Sequence, residues 1–147
     1  MTPYTAGALF LDAEGCVIRG FTITKFPIQG LILFGPGMKV SALNVINNGD
    51  TGIYTGPRAV DAEIGDTTSA AGRVCSSGNG LYGLLVQGAG SVVANFLAGY
   101  NCAEGSILSA SQGDPLRDCS VERQNNNGAI AVYGENIKIG SQVRKTS

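Results

Sequence analysis

Short apolar runs that each open with a glycine recur along this chain at a nearly constant interval. The runs begin at Gly7 (GALFL), Gly30 (GLILF), Gly52 (GIYTG), Gly83 (GLLVQ), Gly105 (GSILS) and Gly128 (GAIAV). Successive glycines are 23, 22, 31, 22 and 23 residues apart. Because four of the five intervals agree within one residue, the pattern predicts an internal structural repeat.

Apolar residues also recur upstream of the repeat glycine. The positions twelve, nine and seven residues before it hold Ile18, Phe21 and Ile23; Val40, Leu43 and Val45; Val93, Phe96 and Ala98; and Leu116, Cys119 and Val121. The last two positions are two residues apart, which is the alternation of a β-strand that buries one face. The residues between them are mostly polar or small, as at Thr22 and Asn44.

Strands this short cannot bury an apolar face alone, so equivalent strands are expected to stack in register, about 4.8 Å apart. Parallel crossovers are right-handed as a rule. We therefore expect an all-β fold, a right-handed parallel β-helix solenoid of about six coils with 22–23 residues per coil. It would form a single domain over residues 1–147.

The 31-residue interval predicts an insertion in one coil. Aligning Ala59, Ala62 and Ile64 with the three upstream apolar positions leaves residues 72–83 (GRVCSSGNGLYG) unassigned. That segment is rich in Gly, Ser and Asn, as exposed loops are. We expect it to protrude from the stack.

Asparagines cluster just before the repeat glycine, at residues 47–48, 101 and 125–127. Asn adopts the left-handed backbone conformation readily, and its amide can bridge neighbouring turns. We therefore interpret these residues as a structural ladder rather than as a binding site.

The charge and composition of the chain argue against several classes of function. The formal net charge is −1, which argues against nucleic-acid binding and against binding to an anionic membrane surface. The N-terminus lacks the features of a signal peptide, and the longest apolar runs are too short to span a membrane. The chain has four cysteines in no CxxC pair and no histidine, so we expect buried free thiols and no metal site.

Several segments resemble the right-handed parallel β-helix superfamily, which comprises the pectate-lyase-like proteins and their carbohydrate-associated repeat relatives. They are VIRGFTITKF (17–26), GLILFG (30–35) and VSALNVINNGDTGIYTG (40–56). The segment at 63–88 is similar to repeats of large bacterial surface β-helix proteins. The resemblance implies an extracellular or cell-surface location. It does not select a function, because members include lyases, hydrolases, epimerases, phage tail-spike modules and inert scaffolds.

The family's lyases bind Ca²⁺ through Asp clusters, and its hydrolases use grouped Asp residues. Here the candidates for catalysis are Asp50 and Glu104, which lie two coils apart and so roughly 10 Å from one another. A glycosidase needs its carboxylates about 5–9 Å apart. We favour solvated turn charges over catalysis at these positions. Ca²⁺ is expected only if the protein is a lyase. Tyr54, Arg58 and Arg73 are the candidates for ligand binding.

Both alternating columns after the repeat glycine are apolar. Positions one and three carry Ala8, Phe10, Leu31, Leu33, Ile53, Leu84, Val86 and Leu108; position two carries Leu9, Ile32, Tyr54, Leu85, Ile107 and Ile130. Only one column can face inward, so the other should form an apolar stripe. We expect a subunit partner, a polymeric ligand or the loop at 72–83 to cover it.

Two function hypotheses follow. We prefer a non-catalytic β-helical module for binding or assembly, associated with polysaccharide. This module would form homo-oligomers through the apolar stripe or through the open ends of the stack. The alternative is a reduced polysaccharide lyase or glycoside hydrolase that acts at a strand-face groove near Asp50 and Glu104.

Overall fold

The computed structural model describes residues 9–66, 68–99, 101 and 130–141 of the 147-residue protein. The strands are β1 (Leu9–Leu11), β2 (Val17–Arg19), β3 (Thr22–Thr24), β4 (Leu31–Leu33), β5 (Lys39–Ser41), β6 (Leu43–Ile46), β7 (Ile53–Thr55), β8 (Glu63–Ile64), β9 (Val74–Ser77), β10 (Leu84–Val86), β11 (Val92–Ala94), β12 (Phe96–Gly99), β13 (Ile130–Val132) and β14 (Lys138–Ser141). A short 3₁₀ helix occupies Ala70–Gly72. This described part is all-β apart from that turn, as expected. It includes no helix long and apolar enough to cross a membrane.

The strands form three parallel sheets. The first sheet has the order β1-β4-β7-β10-β13, the second β2-β5-β8-β11-β14, and the third β3-β6-β9-β12. Each strand therefore pairs with the third strand after it, and three consecutive strands belong to three different sheets. Every pairing is parallel.

The register aligns like side chains, as the repeat predicts. In the second sheet Ile18, Val40, Ile64, Val93 and Ile139 are successive partners. The inward columns of the three sheets meet in one apolar core. In the first sheet the positions one and three after the repeat glycine face this core, because the residues there in β4 and β10 are fully buried. The position-two residues of those strands are only partly buried and form the outer column.

The prediction that residues 72–83 form a protruding loop is wrong. Residues 74–77 form β9, which pairs with β6 on one side and β12 on the other. The sequence alignment matched Ile64 with Ile23 and Val45, which lie in the third sheet. Ile64 instead pairs with Val40 and Val93 of the second sheet. Most of the extra residues lie in the connection between β8 and β9, at 65–73. The corresponding connections in the other repeats are one or two residues long.

The apolar runs of β1 and β13, the first and last strands of the first sheet, are shifted by one residue from the prediction. Leu9 pairs with Leu31, and Ile130 pairs with Leu84. Leu9 and Ile130 therefore share the register of the inward column, and Phe10 that of the outer column, which reverses our assignment of these residues. Furthermore, β10 pairs directly with β13, although a six-coil stack would place the run at Gly105 between them. Gly105 lies outside the described residues.

Residues with positive φ mark the corners between sheets. They are Gly15, Gly37, Asp61, Gly90 and Asn136 between the first and second sheets; Gly20, Ala42, Gly65 and Asn95 after the second; and Lys25, Asn47 and Gly78 after the third. Gly, Asn and Asp tolerate this left-handed conformation better than other residues. The left-handed corners therefore account for the glycine, asparagine and aspartate residues at these positions. Ala42 and Lys25 are the exceptions.

A buried asparagine ladder runs across the repeats beside the third sheet. The side-chain amide of Asn48 donates to Oδ1 of Asn79 at 3.0 Å, and that of Asn79 donates to Oδ1 of Asn101 at 3.0 Å. All three side chains are fully buried. The expected ladder is confirmed at Asn48 and Asn101, whereas Asn79 lies in the segment predicted to be a loop. Asn125–Asn127 lie outside the described residues.

The ladder explains the repeat glycines. A Cβ atom on Gly30 would lie 2.7 Å from the side-chain nitrogen of Asn48, and one on Gly52 would lie 2.6 Å from that of Asn79. These contacts are too close for any side chain. At Gly30 and Gly52 the glycine that opens the run therefore leaves room for the amide of the ladder.

The cysteines partly match the expectation of buried thiols. Cys75 is a buried thiol, and Cys16 is a thiol partly buried against the core. Cys102 and Cys119 lie outside the described residues.

Candidate functional site

The structure brings two of the predicted binding residues, Tyr54 and Arg58, to the same surface region. Both neighbour Phe34: the Tyr54 ring meets the Phe34 ring edge-on, with centroids 6.2 Å apart and an interplanar angle of 69°. Arg58 and Phe34 line one groove. Arg73 lies in the connection between β8 and β9, and Asp50 lies between β6 and β7. Neither of them lines this groove, and Glu104 lies outside the described residues.

This groove, called here the Phe34 groove, lies at the corner between the first and second sheets and has a volume of about 640 Å³. It is lined by Asp12, Ala13, Glu14, Phe34, Gly35, Pro36, Pro57, Arg58 and Val60. These residues come from the connections β1–β2, β4–β5 and β7–β8, which are equivalent segments of three successive repeats. The groove therefore runs along the direction in which the repeats stack.

The aromatic wall of the groove depends on a glycine in the next repeat. A Cβ atom on Gly56 would lie 2.5 Å from Cδ1 and Cε1 of Phe34. Because Gly56 has no side chain, the Phe34 ring lies over the backbone of the neighbouring strand end. The ring continues the outer column of the first sheet, where Ile32, Tyr54 and Leu85 are partly buried.

An ion pair spans the polar side of the groove. Nη2 of Arg58 donates to both carboxylate oxygens of Asp12, at 3.2 Å each. The two side chains are 70% and 50% exposed, so the pair adds little to stability. It places a charged donor and a charged acceptor on the same groove as the Phe34 ring.

A second groove, of about 360 Å³, lies on the outer face of the second sheet beside the inserted connection 65–73. Its charged lining residues are Arg19, Lys39, Glu63 and Asp66, and Lys39 pairs with Glu63 at 3.1 Å. The inserted connection is anchored by Asn95, whose amide donates to the backbone oxygens of Asp66 and Ser69 at 2.9 Å each. The wall of this groove is therefore tied to the neighbouring repeat.

Asp66 in that wall is held in its ionised form. The hydroxyl of Thr68 donates to Asp66 Oδ1 at 2.6 Å, and the Thr68 backbone N–H donates to it at 2.7 Å. These two hydrogen bonds, and then the charge of Arg19, lower the pKa of Asp66 below its ordinary value. An ionised acceptor so placed can bind a donor group of a ligand.

The candidate for catalysis, Asp50, makes a local contact. Its Oδ1 accepts a hydrogen bond from the hydroxyl of Thr51 at 3.2 Å. Over residues 9–66, 68–99, 101 and 130–141 there is no group of three or more His, Cys, Asp or Glu side chains placed to hold a metal ion.

Of the residues that line the Phe34 groove, only Arg58 was a sequence candidate. Phe34 entered the sequence analysis only as the end of the run GLILF, and Asp12 was not singled out. The signal that could have found them is the pair Pro36 and Pro57, which both follow a repeat run and mark the same corner. No protein-family model, curated protein or solved structure matches this protein.

Proposed function

We propose that this protein is a right-handed parallel β-helix solenoid that acts as a non-catalytic module for binding an extended polysaccharide along the Phe34 groove. The solenoid part is supported by the strand order, in which each strand pairs in parallel with the third strand after it. The corners of positive φ, which recur in successive repeats, support it as well. The right hand is the general preference of parallel crossovers.

The observation that carries the binding proposal is that the Phe34 ring, which packs edge-on against Tyr54, lines the same groove as the Asp12–Arg58 pair. A pyranose ring has an apolar C–H face and a rim of hydroxyl groups. The C–H face suits an aromatic surface, and the hydroxyl rim suits a carboxylate and a guanidinium. Ligand sites commonly combine apolar walls with a few placed polar groups in this way.

The direction of the groove supports a polymer over a compact ligand. Three successive repeats contribute equivalent segments to its lining. A ligand that follows the groove would meet similar backbone geometry at each repeat, about 4.8 Å apart. A polymer of linked sugars can extend over such a surface.

One observation favours the alternative, a polysaccharide lyase or glycoside hydrolase. Asp12 and Glu14 line the same groove, and paired carboxylates are what glycoside hydrolysis requires. Against this, both oxygens of Asp12 already accept from Arg58, which suits the carboxylate to orient a ligand. We therefore retain the binding module as the main proposal.

Self-association is part of the proposal. Among the described residues, the large apolar side chains that are exposed lie on or beside the first and last strands of the stack, namely Val17, Phe21, Val132, Tyr133 and Ile139. Exposed apolar groups at the terminal strands of the described sheets favour pairing with another copy. End-to-end contact between copies would cover them.

The experiment is a binding screen against neutral and acidic polysaccharides, coupled to an assay for new reducing ends and unsaturated products. We expect one class to bind without being cleaved. Phe34→Ala and Arg58→Ala should each weaken binding about tenfold or more, because both remove a central contact. Arg73→Ala, another exposed arginine, is the matched control and should bind like the unaltered protein.

Two results would overturn these proposals. Failure of every polysaccharide to bind would refute the proposed binding function. Cleavage products that form with the unaltered protein and disappear in Asp12→Asn or Glu14→Gln would show that the protein is an enzyme. Urea unfolding of Phe34→Ala checks that a loss of binding does not reflect a loss of fold. Sedimentation velocity over a range of concentrations tests self-association, which a monomer at all concentrations would refute.

A further inference from the structure

Two residues of the asparagine ladder are each followed by glycine, as Asn48–Gly49 and Asn79–Gly80. In a flexible Asn–Gly step the glycine nitrogen loses its proton and attacks Cγ of the asparagine. A bond forms between that nitrogen and Cγ, and the bond between Cγ and Nδ2 breaks to release ammonia. Water then opens the cyclic imide to aspartate or isoaspartate. The reaction requires a mobile backbone and an unhindered nitrogen.

The native structure holds the attacking nitrogen at both steps. The backbone N–H of Gly49 donates to the oxygen of Phe26 at 2.7 Å, and that of Gly80 donates to the oxygen of Asn48 at 3.0 Å. Each of these bonds joins one repeat to the next. Neither nitrogen can turn towards the amide of its own asparagine while the repeats remain paired.

The amide under attack is held as well. Oδ1 of Asn48 accepts from the backbone N–H of Phe26 at 3.1 Å. Oδ1 of Asn79 accepts from both the backbone N–H and the side-chain amide of Asn48, each at 3.0 Å. Both asparagines are fully buried, so water is excluded from the site of hydrolysis.

We propose that Asn48 and Asn79 are deamidation sites gated by the fold: they are inert in the native ladder and become reactive when the repeats separate. The two nitrogens and the two amides are held by separate hydrogen bonds, all of which join one repeat to the next. Reaction at either site therefore requires a local or global opening, and its rate follows the population of the open form.

The product cannot return to the ladder. The side-chain nitrogen of Asn79 donates to the backbone oxygen of Val45 at 3.1 Å, to Oγ of Ser76 at 3.0 Å and to Oδ1 of Asn101 at 3.0 Å. After deamidation an oxygen would face these oxygens, and the aspartate would place an unpaired charge in the core. Isoaspartate would also lengthen the backbone and displace the strand register. Deamidation thus makes an unfolding event irreversible.

The test follows peptide masses during incubation of the full-length protein under three conditions. These are native alkaline buffer, alkaline buffer with urea, and mildly acidic buffer with urea for the same time. We expect Asn48 and Asn79 to deamidate in alkaline urea at least an order of magnitude faster than in native alkaline buffer. After dilution, the protein from acidic urea should refold, and the deamidated fraction should not.

A second measurement uses the product directly. Asn79→Asp mimics deamidation at the ladder, and Asn44→Asp places the same change on the exposed face of β6. The first should lose cooperative unfolding or unfold at much lower urea, whereas the second should unfold like the unaltered protein. The proposal is overturned if the native protein deamidates as fast as the unfolded protein. It is also overturned if Asn79→Asp keeps the original urea midpoint.

Discussion

The side-chain amide of Asn48 donates a hydrogen bond to Oδ1 of Asn79, 31 residues further along the sequence. Asn79 repeats this bond to Asn101, and each asparagine also bonds backbone groups of the neighbouring repeat. The ladder thus satisfies polar groups that the apolar core would otherwise leave buried without partners. It also runs across the strands, so it links repeats that are adjacent in space and distant in sequence.

Replacement of Asn48 by alanine should lower the free energy of unfolding by about 2–4 kcal/mol. The change removes the acceptor of the partly buried Phe26 N–H and one of the two donors to Oδ1 of the buried Asn79, whose other donor is the Asn48 backbone N–H. Urea unfolding measures the loss. Asn44→Ala, on the exposed face of β6, is the control and should change stability by under about 0.5 kcal/mol. Equal effects of the two variants would contradict the role of the ladder.

Gly52→Ala should destabilise the protein by about 1–3 kcal/mol through overpacking. The added methyl group would meet Oγ of Ser76, the side-chain nitrogen of Asn79 and the backbone oxygen of Gly83. Gly30→Ala should act in the same direction, because its methyl group would meet Asn48 and Val45. Thermal unfolding reports both effects, and an unchanged melting temperature in both variants would exclude this explanation of the repeat glycine.

Ala42→Gly should stabilise the protein by about 0.5–1 kcal/mol. Ala42 has φ of 48°, whereas the residues at the same corner in other repeats are Gly20, Gly65 and Asn95. Glycine removes the steric strain of the left-handed conformation, and this gain exceeds the extra backbone entropy that glycine loses on folding. Ala94→Gly makes the same substitution in strand β11 and should destabilise, because it removes a buried methyl group. A stability change of the same sign in both variants would show that corner strain is not the cause.

Asp66 should titrate below the ordinary range of an aspartate, because the Thr68 hydroxyl, the Thr68 N–H and Arg19 favour its charged form. Since its pKa is depressed in the fold, its contribution to stability is present above the unfolded pKa and is lost as pH falls through the folded pKa. An NMR titration that follows the Thr68 amide measures this pKa. Thr68→Val should raise the pKa, and Thr22→Val, an exposed threonine on β3, should leave it unchanged.

The repeat period and the strand positions could be predicted because stacked repeats impose the same apolar pattern on each unit. The position of the inserted segment could not. Strand β9 carries Cys75, Ser76 and Ser77, which are small or polar and look like a loop in the sequence, yet all three are buried. Ser76 is stable there because its hydroxyl donates to the backbone oxygen of Gly83 at 2.7 Å. Tertiary hydrogen bonding therefore outweighed local composition.

The sequence named two of the residues that the structure brings to the region of the candidate site. Tyr54 and Arg58 are polar or aromatic groups near a repeat run, and both lie next to Phe34. Asp12 could not be chosen, since its bond to Arg58 joins residues 46 positions apart and depends on the register of three repeats. A one-residue error at Gly7 was enough to place Leu9 and Phe10 on the wrong columns.

The inserted connection 65–73 leaves the sheets on both sides of it intact. Gly65 N–H still bonds the backbone oxygen of Val40 before it, and Val74 N–H bonds that of Asn95 after it. The extra length therefore causes no slip of the strands that follow. We therefore expect this corner to accept a peptide of another length or sequence, such as a grafted epitope or protease site, while the flanking strands stay paired.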